Sequence, residues 1–435
     1  LKQPILFTIY SNNSISIRRF LMVVEKLRQM GRPTAFLDYH GGLRDTIARH
    51  ASRLGLDSLP QYLCFEQCHP ADPAKNDFSA DITIRFPAPN PFQEPAHDRQ
   101  TLPPEIRLLR LAGIDIAPLL NRMVNDNLRS FISEAQSAER ILRMISPACL
   151  VYDIEIPKRT RALLHAARCL AIPSVSMQHG EGNCEQYDQL PILSDFYVAY
   201  SPYNFRKLKE MGVLQERIFL TGAPETDLLE TYDPNSIRSE LCRRFRITPD
   251  KEMILVALKP NNSKGFYQFN QQLLSILKTS LDGASNHQIV VKQHPTDLQQ
   301  SEIDYLSDFQ SRFPRMIHIP GDFVISKLFA VSGYFITFLS SALVEAIIQD
   351  NYTIVIEKDN LVRWPDWNWF GVYDSVNLEA LPQTLSKIVS GRYASEMQRL
   401  KLNRKEFSYF YRFKMDRHNS DRVAAALERT VTAFC

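Results

Sequence analysis

Three short polar clusters hold the side chains best suited to chemistry. Gln178-His179-Gly180 follows the apolar run Ile172 to Met177, and Gln293-His294-Pro295 follows the run Gln288 to Lys292. Phe338-Leu339-Ser340-Ser341-Ala342-Leu343-Val344-Glu345 follows Tyr334 to Phe338 and opens a helical pattern. Each cluster stands where a buried strand gives way to a loop. In open α/β sheets ligands bind there, in the crevice outside the carboxyl ends of the strands. Three such exits point to one cleft between two α/β domains, of a kind suited to a nucleotide-activated donor.

The phosphate of such a donor departs as an anion. Ser340 and Ser341 at a helix start offer it backbone N–H groups and hydroxyls, aided by the helix dipole. Glu345 lies about one turn along the same helix, placed to accept hydrogen bonds from ribose hydroxyls. The competing reading of this stretch is a helix cap with an early acid. Pro295 biases His294 to an extended conformation, from which the imidazole can hydrogen-bond the phosphate or protonate it on departure. A structural histidine capping the next turn is the alternative. Lys259-Pro260-Asn261-Asn262-Ser263-Lys264-Gly265 is a cationic loop in which Lys259, Asn262 and Ser263 suit a pyrophosphate, or else a solvated turn. It lacks the glycine and lysine spacing of a P-loop.

On the other side of the reaction, an attacking hydroxyl must lose its proton. A histidine with a pKa of about 6.5 suits that role, and His179 is the first candidate. Asp153, ending another apolar run, and Glu181 stand as alternatives or as its orienting partners. Lys158, Arg159 and Arg161 offer an anionic acceptor a cationic face, or form a solvated one. Trp364, Trp367 and Trp369 are the chain's only tryptophans; they suit stacking on a sugar or base, or packing that pins their own loop.

The elements that must position these groups follow a simple pattern. With 435 residues the chain exceeds one ordinary core, so two domains are expected. Strand and helix patterns alternate from Ile5 to Leu54, resume at Ala148 after a Pro-rich and then helical insertion at about 69–145, and alternate again from Met253 to Ile356. That is the βαβ signature of parallel sheets. The polar stretch from Glu225 to Asp250 reads as a linker region, which places the domains at 1–235 and 236–435. Leu381 to Ser390 and Ser395 to Ala426 read as helices. The segment Glu406-Phe407-Ser408-Tyr409-Phe410-Tyr411-Arg412-Phe413-Lys414 reads as core packing or as a face toward a membrane surface.

Composition excludes several classes. Fifty-one basic against 48 acidic residues leave a net charge of only +3, and no basic stripe is interleaved with aromatics, so a nucleic-acid partner is not expected. No run approaches the roughly 20 apolar residues of a membrane span. No signal-peptide pattern opens the chain, which starts at Leu1 and reads as trimmed or as part of a longer protein. The seven cysteines are scattered. Only Cys64, Cys68 and His69 group closely, without the second pair that a zinc site needs. Reduced thiols in a cytoplasmic protein are the expectation.

The motifs resemble those of GT-B glycosyltransferases that build bacterial surface polysaccharides. Pro147 to Asp153, Ala171 to Gly180 and Ala199 to Gly222 resemble the end of their first domain. His294-Pro295 and Ser340-Ser341 resemble the His-Pro and Ser-Ser motifs of Kdo-, sialyl- and polysialyltransferases, and of CDP-glycerol glycerophosphotransferases. The likeness covers roughly residues 147–357 and lacks the paired acids of the polysialyl type. It implies two Rossmann-like domains facing across a cleft, with a C-terminal helix crossing back to the first. It also implies inverting, metal-independent transfer without a cofactor. The donor would be a CMP-linked acid sugar, or a CDP- or UDP-linked one. The acceptor would be a surface glycan or a lipid-linked molecule, with a peripheral contact at the inner face of the cell membrane left open. The alternatives are a sugar-nucleotide 2-epimerase of the same fold and a non-catalytic binding subunit.

Overall fold

The computed structural model describes residues 2–9, 14–38, 43–56, 61–64, 66–67, 85–86, 110–111, 114–115, 117–155, 157–177, 193–259, 264–281, 286–294, 306–307, 310–311, 313, 316–321, 323–338, 340, 342–357, 370–392 and 394–434. Short apolar runs form the central strands, which are buried on both faces, as parallel strands covered by helices must be. Seven strands make an all-parallel sheet, in the order Ile218–Leu220, Phe196–Ala199, Ser174–Met177, Cys149–Tyr152, Ile5–Ile9, Thr34–Asp38 and Gln61–Cys64. Six make a second, in the order Met316–Ile319, His287–Lys292, Glu252–Ala257, Tyr334–Thr337, Tyr352–Glu357 and Asp374–Asn377.

Both orders run outward from the first strand of the unit and then reverse. The reversals fall between Ile5–Ile9 and Cys149–Tyr152, and between Glu252–Ala257 and Tyr334–Thr337. At such a switch point the connecting loops diverge to opposite faces and leave a crevice at the carboxyl ends.

Each sheet is covered on both faces. Helix Ser14–Gln29 packs Ile17, Phe20, Leu21 and Val24 on one side of the first sheet, and helices Ala117–Ile145 and Lys158–Cys169 cover the other. The second sheet lies between Phe269, Leu273 and Leu385 on one face and Leu241, Leu328 and Phe329 on the other. The final helix, Asn419–Phe434, leaves the second unit and buries Val423, Ala424, Leu427 and Val431 in the core of the first sheet. The crossing expected of the C-terminal helix is therefore present.

Two expectations need correction, and two strands are added. The stretch expected as a polar linker is helical. It holds a 3-10 segment, Pro224–Thr231, and the helix Pro234–Phe245, which buries Ile237 and Leu241 against the second sheet. Asp233 caps that helix by accepting from the backbone of Asn235 and Ser236 at 3.2 and 3.0 Å, with proline at the first helical position. The long helix expected from Ser395 to Ala426 is three: Ala394–Lys401, Arg404–Arg412 and Asn419–Phe434. Phe413 and Arg417 take positive φ of 65° and 62°, which turns the chain between the last two. The edge strands Gln61–Cys64 and Asp374–Asn377 were not expected, since neither carries a continuous apolar run.

The crossing is locked at its start. Asp227 accepts from the backbone N–H groups of Asn419 and Ser420 at 3.0 and 2.8 Å, doing for this helix what a local cap residue usually does. Gly222, at φ +85°, lets the backbone pass so close that a Cβ there would overlap the Asn419 carboxamide. Asp227→Ala is expected to destabilise the protein by about 1–2 kcal/mol, read as a lower urea midpoint. An unchanged midpoint would mean that the cap is dispensable.

Candidate functional site

The site is built from the two switch points. At the first, Thr8 Oγ1 donates to the Val151 carbonyl at 3.2 Å, and the Ser16 hydroxyl donates to Asp153. Helix Ser14–Gln29 begins here, and residues 16–20 are all buried, polar ones included: Ser16, Arg18 and Arg19 lie among Ile17 and Phe20. Charges in such a place need partners. Arg19 forms a two-pronged pair with Glu225, Nε to Oε2 at 2.8 Å, and lies 5.1 Å from the ring centre of Tyr200. Bidentate geometry is what allows a buried pair to offset its desolvation.

Asp153 and Glu225 both act on Tyr200, whose hydroxyl burial pushes above its ordinary pKa against the pull of Arg19. Glu345 joins this cluster from the second sheet's side. Burial pushes its carboxyl up, Glu225 adds to that, and Arg18, the hydroxyl of Ser326 and Arg19 oppose it. Arg18 is 8% exposed, and its Nε has no hydrogen-bond partner among the described residues. Arg412, at the end of helix Arg404–Arg412, is fully buried, and burial together with Arg19 pushes its pKa down.

At the second switch point the chemistry is cationic. Lys259 follows strand Glu252–Ala257. Its Nζ stands 5.8 Å from the ring centre of Phe338, and burial lowers its pKa to about 8. His294 follows strand His287–Lys292. Burial first, then the charges of Lys259 and Lys292, lower it to about 4. Lys292 donates to the carbonyls of Gln293 and Gly321 at 2.7 and 2.8 Å, and the Gln293 side chain meets His318 Nε2 at 3.1 Å. Lys259 and Lys292 are the charges that act on His294 here. An anion entering the crevice would raise both Lys259 and His294 toward their charged forms.

The described site residues fall into two groups. Asp153 gathers with Ser16, Tyr200, Arg19 and Glu225, while Lys259 and His294 gather beside Phe338. Glu345 sits with the first group although it belongs to the second sheet. Ser340 accepts from the Ala342 N–H at 3.3 Å and caps the short helix Ala342–Ile348. Lys158 and Arg159 are tied to the neighbouring helix through Glu134, at 3.4 and 3.8 Å. His179, Glu181, Asn262, Ser263, Ser341, the three tryptophans and the Cys68-His69 pair lie outside the described residues. Arg18, Arg19, Tyr200 and Glu225 were missed from sequence. The signal was two adjacent arginines within an apolar helical run.

No known protein family is matched by the sequence, and no curated protein matches it. Solved structures do. The UDP-GlcNAc 2-epimerase of Neisseria meningitidis bound to UDP-GlcNAc superposes with a TM-score of 0.63 at 13% identity, over 99% of this chain and 100% of that one. The wall teichoic acid polymerase TagF gives 0.57 at 11% identity, over 99% and 89%. A glycosyltransferase of Rickettsia africae gives 0.55 at 10%, over 98% and 99%. The chain has a GT-B-like fold. Identities this low establish the architecture of two Rossmann-like units and nothing finer.

Anion binding in this GT-B-like cleft should depend on pH in a defined direction. Lys259 begins to lose its proton above about pH 8 in the unliganded chain, and a bound phosphate raises that value. Affinity for a nucleoside diphosphate should therefore hold below pH 8. Above it, affinity should fall by at most about tenfold per unit until the raised pKa is reached. Calorimetric titration from pH 7 to 9.5 reads this, and Lys259→Met should flatten the slope. A wild-type slope equal to the variant's would remove Lys259 from the site.

Proposed function

We propose that the cleft takes a nucleotide-activated sugar, with its phosphate against Lys259 and His294, and transfers the sugar to a glycan or lipid-linked acceptor. The observation that carries this reading is the pairing of Lys259 and His294 at the carboxyl end of the second sheet, where the strand order reverses. Two basic groups held below their ordinary pKa, Lys259 charged and His294 neutral near pH 7, are poised to gain stability from an incoming phosphate, and to stabilise it again as it leaves. The charge of Lys259 serves where a divalent ion would otherwise neutralise the diphosphate, so the reaction is read as metal-independent.

His294 is neutral near pH 7 in the unliganded chain. In this reading it donates a hydrogen bond to the phosphate, and it acts as an acid only once the bound anion has raised its pKa. Arg18, Arg19 and Glu345 link the second sheet's helix to the first sheet's switch point, so donor binding and acceptor positioning share one rigid cluster. Asp153, held by Ser16 at the opposite crevice, serves with His179 and Glu181 as the set from which the base is drawn. Inversion follows from a single displacement by an activated hydroxyl.

The base of the donor nucleotide has two supports. The His-Pro and Ser-Ser motifs favour cytidine, whereas the neighbour solved with UDP-GlcNAc favours uridine. That neighbour, named a 2-epimerase, also supports a second reading, isomerisation of a sugar nucleotide without an acceptor.

Thermal melts with CMP, CDP, UMP, UDP and GDP, on wild type and His294→Ala, test the shared part of both readings. Ligand at a hundredfold excess over Kd should stabilise by about 2.7 kcal/mol, and the variant should lose most of that. A folded protein that responds to none of the five would end the proposal. Proton NMR of UDP-GlcNAc incubated with the protein alone then separates the two. A new anomeric signal of an intact nucleotide sugar means epimerisation, and its absence, with turnover on adding a glycan acceptor, means transfer.

A further inference from the structure

Helix Pro202–Glu210 of the first unit packs against helix Arg404–Arg412. The contact is aromatic: Tyr203 lies 5.2 Å from Tyr411 and 5.8 Å from Phe410, ring centre to ring centre. With Phe407 and Leu343 these rings form a closed apolar cluster, so the inner face of helix Arg404–Arg412 is fully used. Its outer face carries a different set of residues. Leu402, just before the helix, is 78% exposed, and Tyr409 is 54% exposed. Phe413, just past the helix end, is half-buried with its ring 5.9 Å from that of Tyr409. Lys405 and Tyr409 are one turn apart on the helix and so share a side, and the ring contact brings Phe413 beside Tyr409.

Lysines lie in and beside this patch. Lys401, Lys405 and Lys414 are all exposed, and the Lys414 ammonium sits 5.3 Å from the Phe413 ring centre. Arg206, from the neighbouring helix, reaches to 5.5 Å from the Phe410 ring and is exposed. The acids nearby are largely engaged: Asp416 accepts twice from Arg422 at 2.9 Å, and Glu210 pairs with Arg206 and Lys207 at 3.4 and 3.1 Å. Glu406 is the exposed acid on the helix itself.

We propose that this face docks on an anionic lipid bilayer. Leucine, tyrosine and phenylalanine together suit the boundary between headgroups and acyl chains, where an aromatic ring buries its body and a tyrosine keeps its hydroxyl wet. Lysines beside them suit anionic headgroups, toward which their flexible stems extend. A protein partner fits less well, because lysine is depleted at the centres of protein interfaces. The contact is peripheral: among the described residues no helix is long and apolar enough to cross a membrane.

The inference holds whichever reaction the cleft performs. Its consequence for a lipid-linked acceptor is geometric. Arg412 ends the same helix inside the charge cluster of Arg19, and nine residues of helix span only ~14 Å. Docking would therefore bring the membrane surface close to the cleft's polar wall.

The test is co-sedimentation of the full chain with vesicles of phosphatidylcholine alone or mixed with phosphatidylglycerol. Wild type should bind the mixed vesicles and not the neutral ones, and raised salt should weaken the binding. Each of Lys401→Glu, Lys405→Glu and Lys414→Glu should lower it by about fivefold or more, and Leu402→Ser with Tyr409→Ser should lower it at every salt concentration. Arg140→Glu, exposed on helix Ala117–Ile145, should leave it unchanged, and melting temperatures report that each variant is folded. Absence of binding to mixed vesicles overturns the proposal, as does equal loss with Arg140→Glu. A dimer that dissociates in the Leu402→Ser variant without any lipid effect also overturns it and assigns the face to self-association.

Discussion

Asp227 receives the first two N–H groups of a helix that starts 192 residues further along the chain. The rest of the molecule depends on that contact. Helix Asn419–Phe434 completes the hydrophobic core of the first sheet, yet the chain reaches it only after building the whole second sheet. Once capped and packed there, the helix ties the second unit to the first at two places, the 3-10 segment Pro224–Thr231 and the return from Arg412. Two Rossmann-like units on a single flexible linker would move freely. A segment that crosses forward and another that crosses back leave the units far fewer relative arrangements.

The same 3-10 segment supplies Glu225 to Arg19 and Asp227 to the final helix. Glu225 and Asp227 thus hold the polar wall of the cleft and the mechanical tie between units within one turn of chain. Across from them, Lys259 and His294 stand at the other switch point in a setting that disfavours their own charge. The contrast is instructive. The first wall pairs Arg19 with Glu225, as a buried arginine requires. The second holds Lys259 and His294 where burial disfavours their charged forms, a balance that an anion would shift.

The βαβ alternation was legible in sequence because parallel strands buried on both faces read as short apolar runs between helical patterns. Ile5–Ile9, Cys149–Tyr152 and Tyr334–Thr337 lie almost where those runs are. The polar residues at strand exits were legible too, since position along a strand predicts which end faces the crevice. The edge strands Gln61–Cys64 and Asp374–Asn377 were not, because neither sequence holds a continuous apolar run. The helix Pro234–Phe245 was hidden by its polar outer face, although Asp233-Pro234 marked its start.

What the sequence by itself determined, then, is the architecture and the place of Lys259, His294 and Asp153 at strand exits. Propensity, hydrophobic period and turn chemistry are local properties, and they act within a few residues. Tertiary structure alone decided that Glu345 is buried with Arg18 and Arg19, that Glu225 neutralises Arg19 from 206 residues away, and that Asp227 caps the last helix. Those partners are chosen by the need of buried charges and orphan N–H groups for a complement. Which complement is nearest is a property of the packed chain, and no local pattern encodes it.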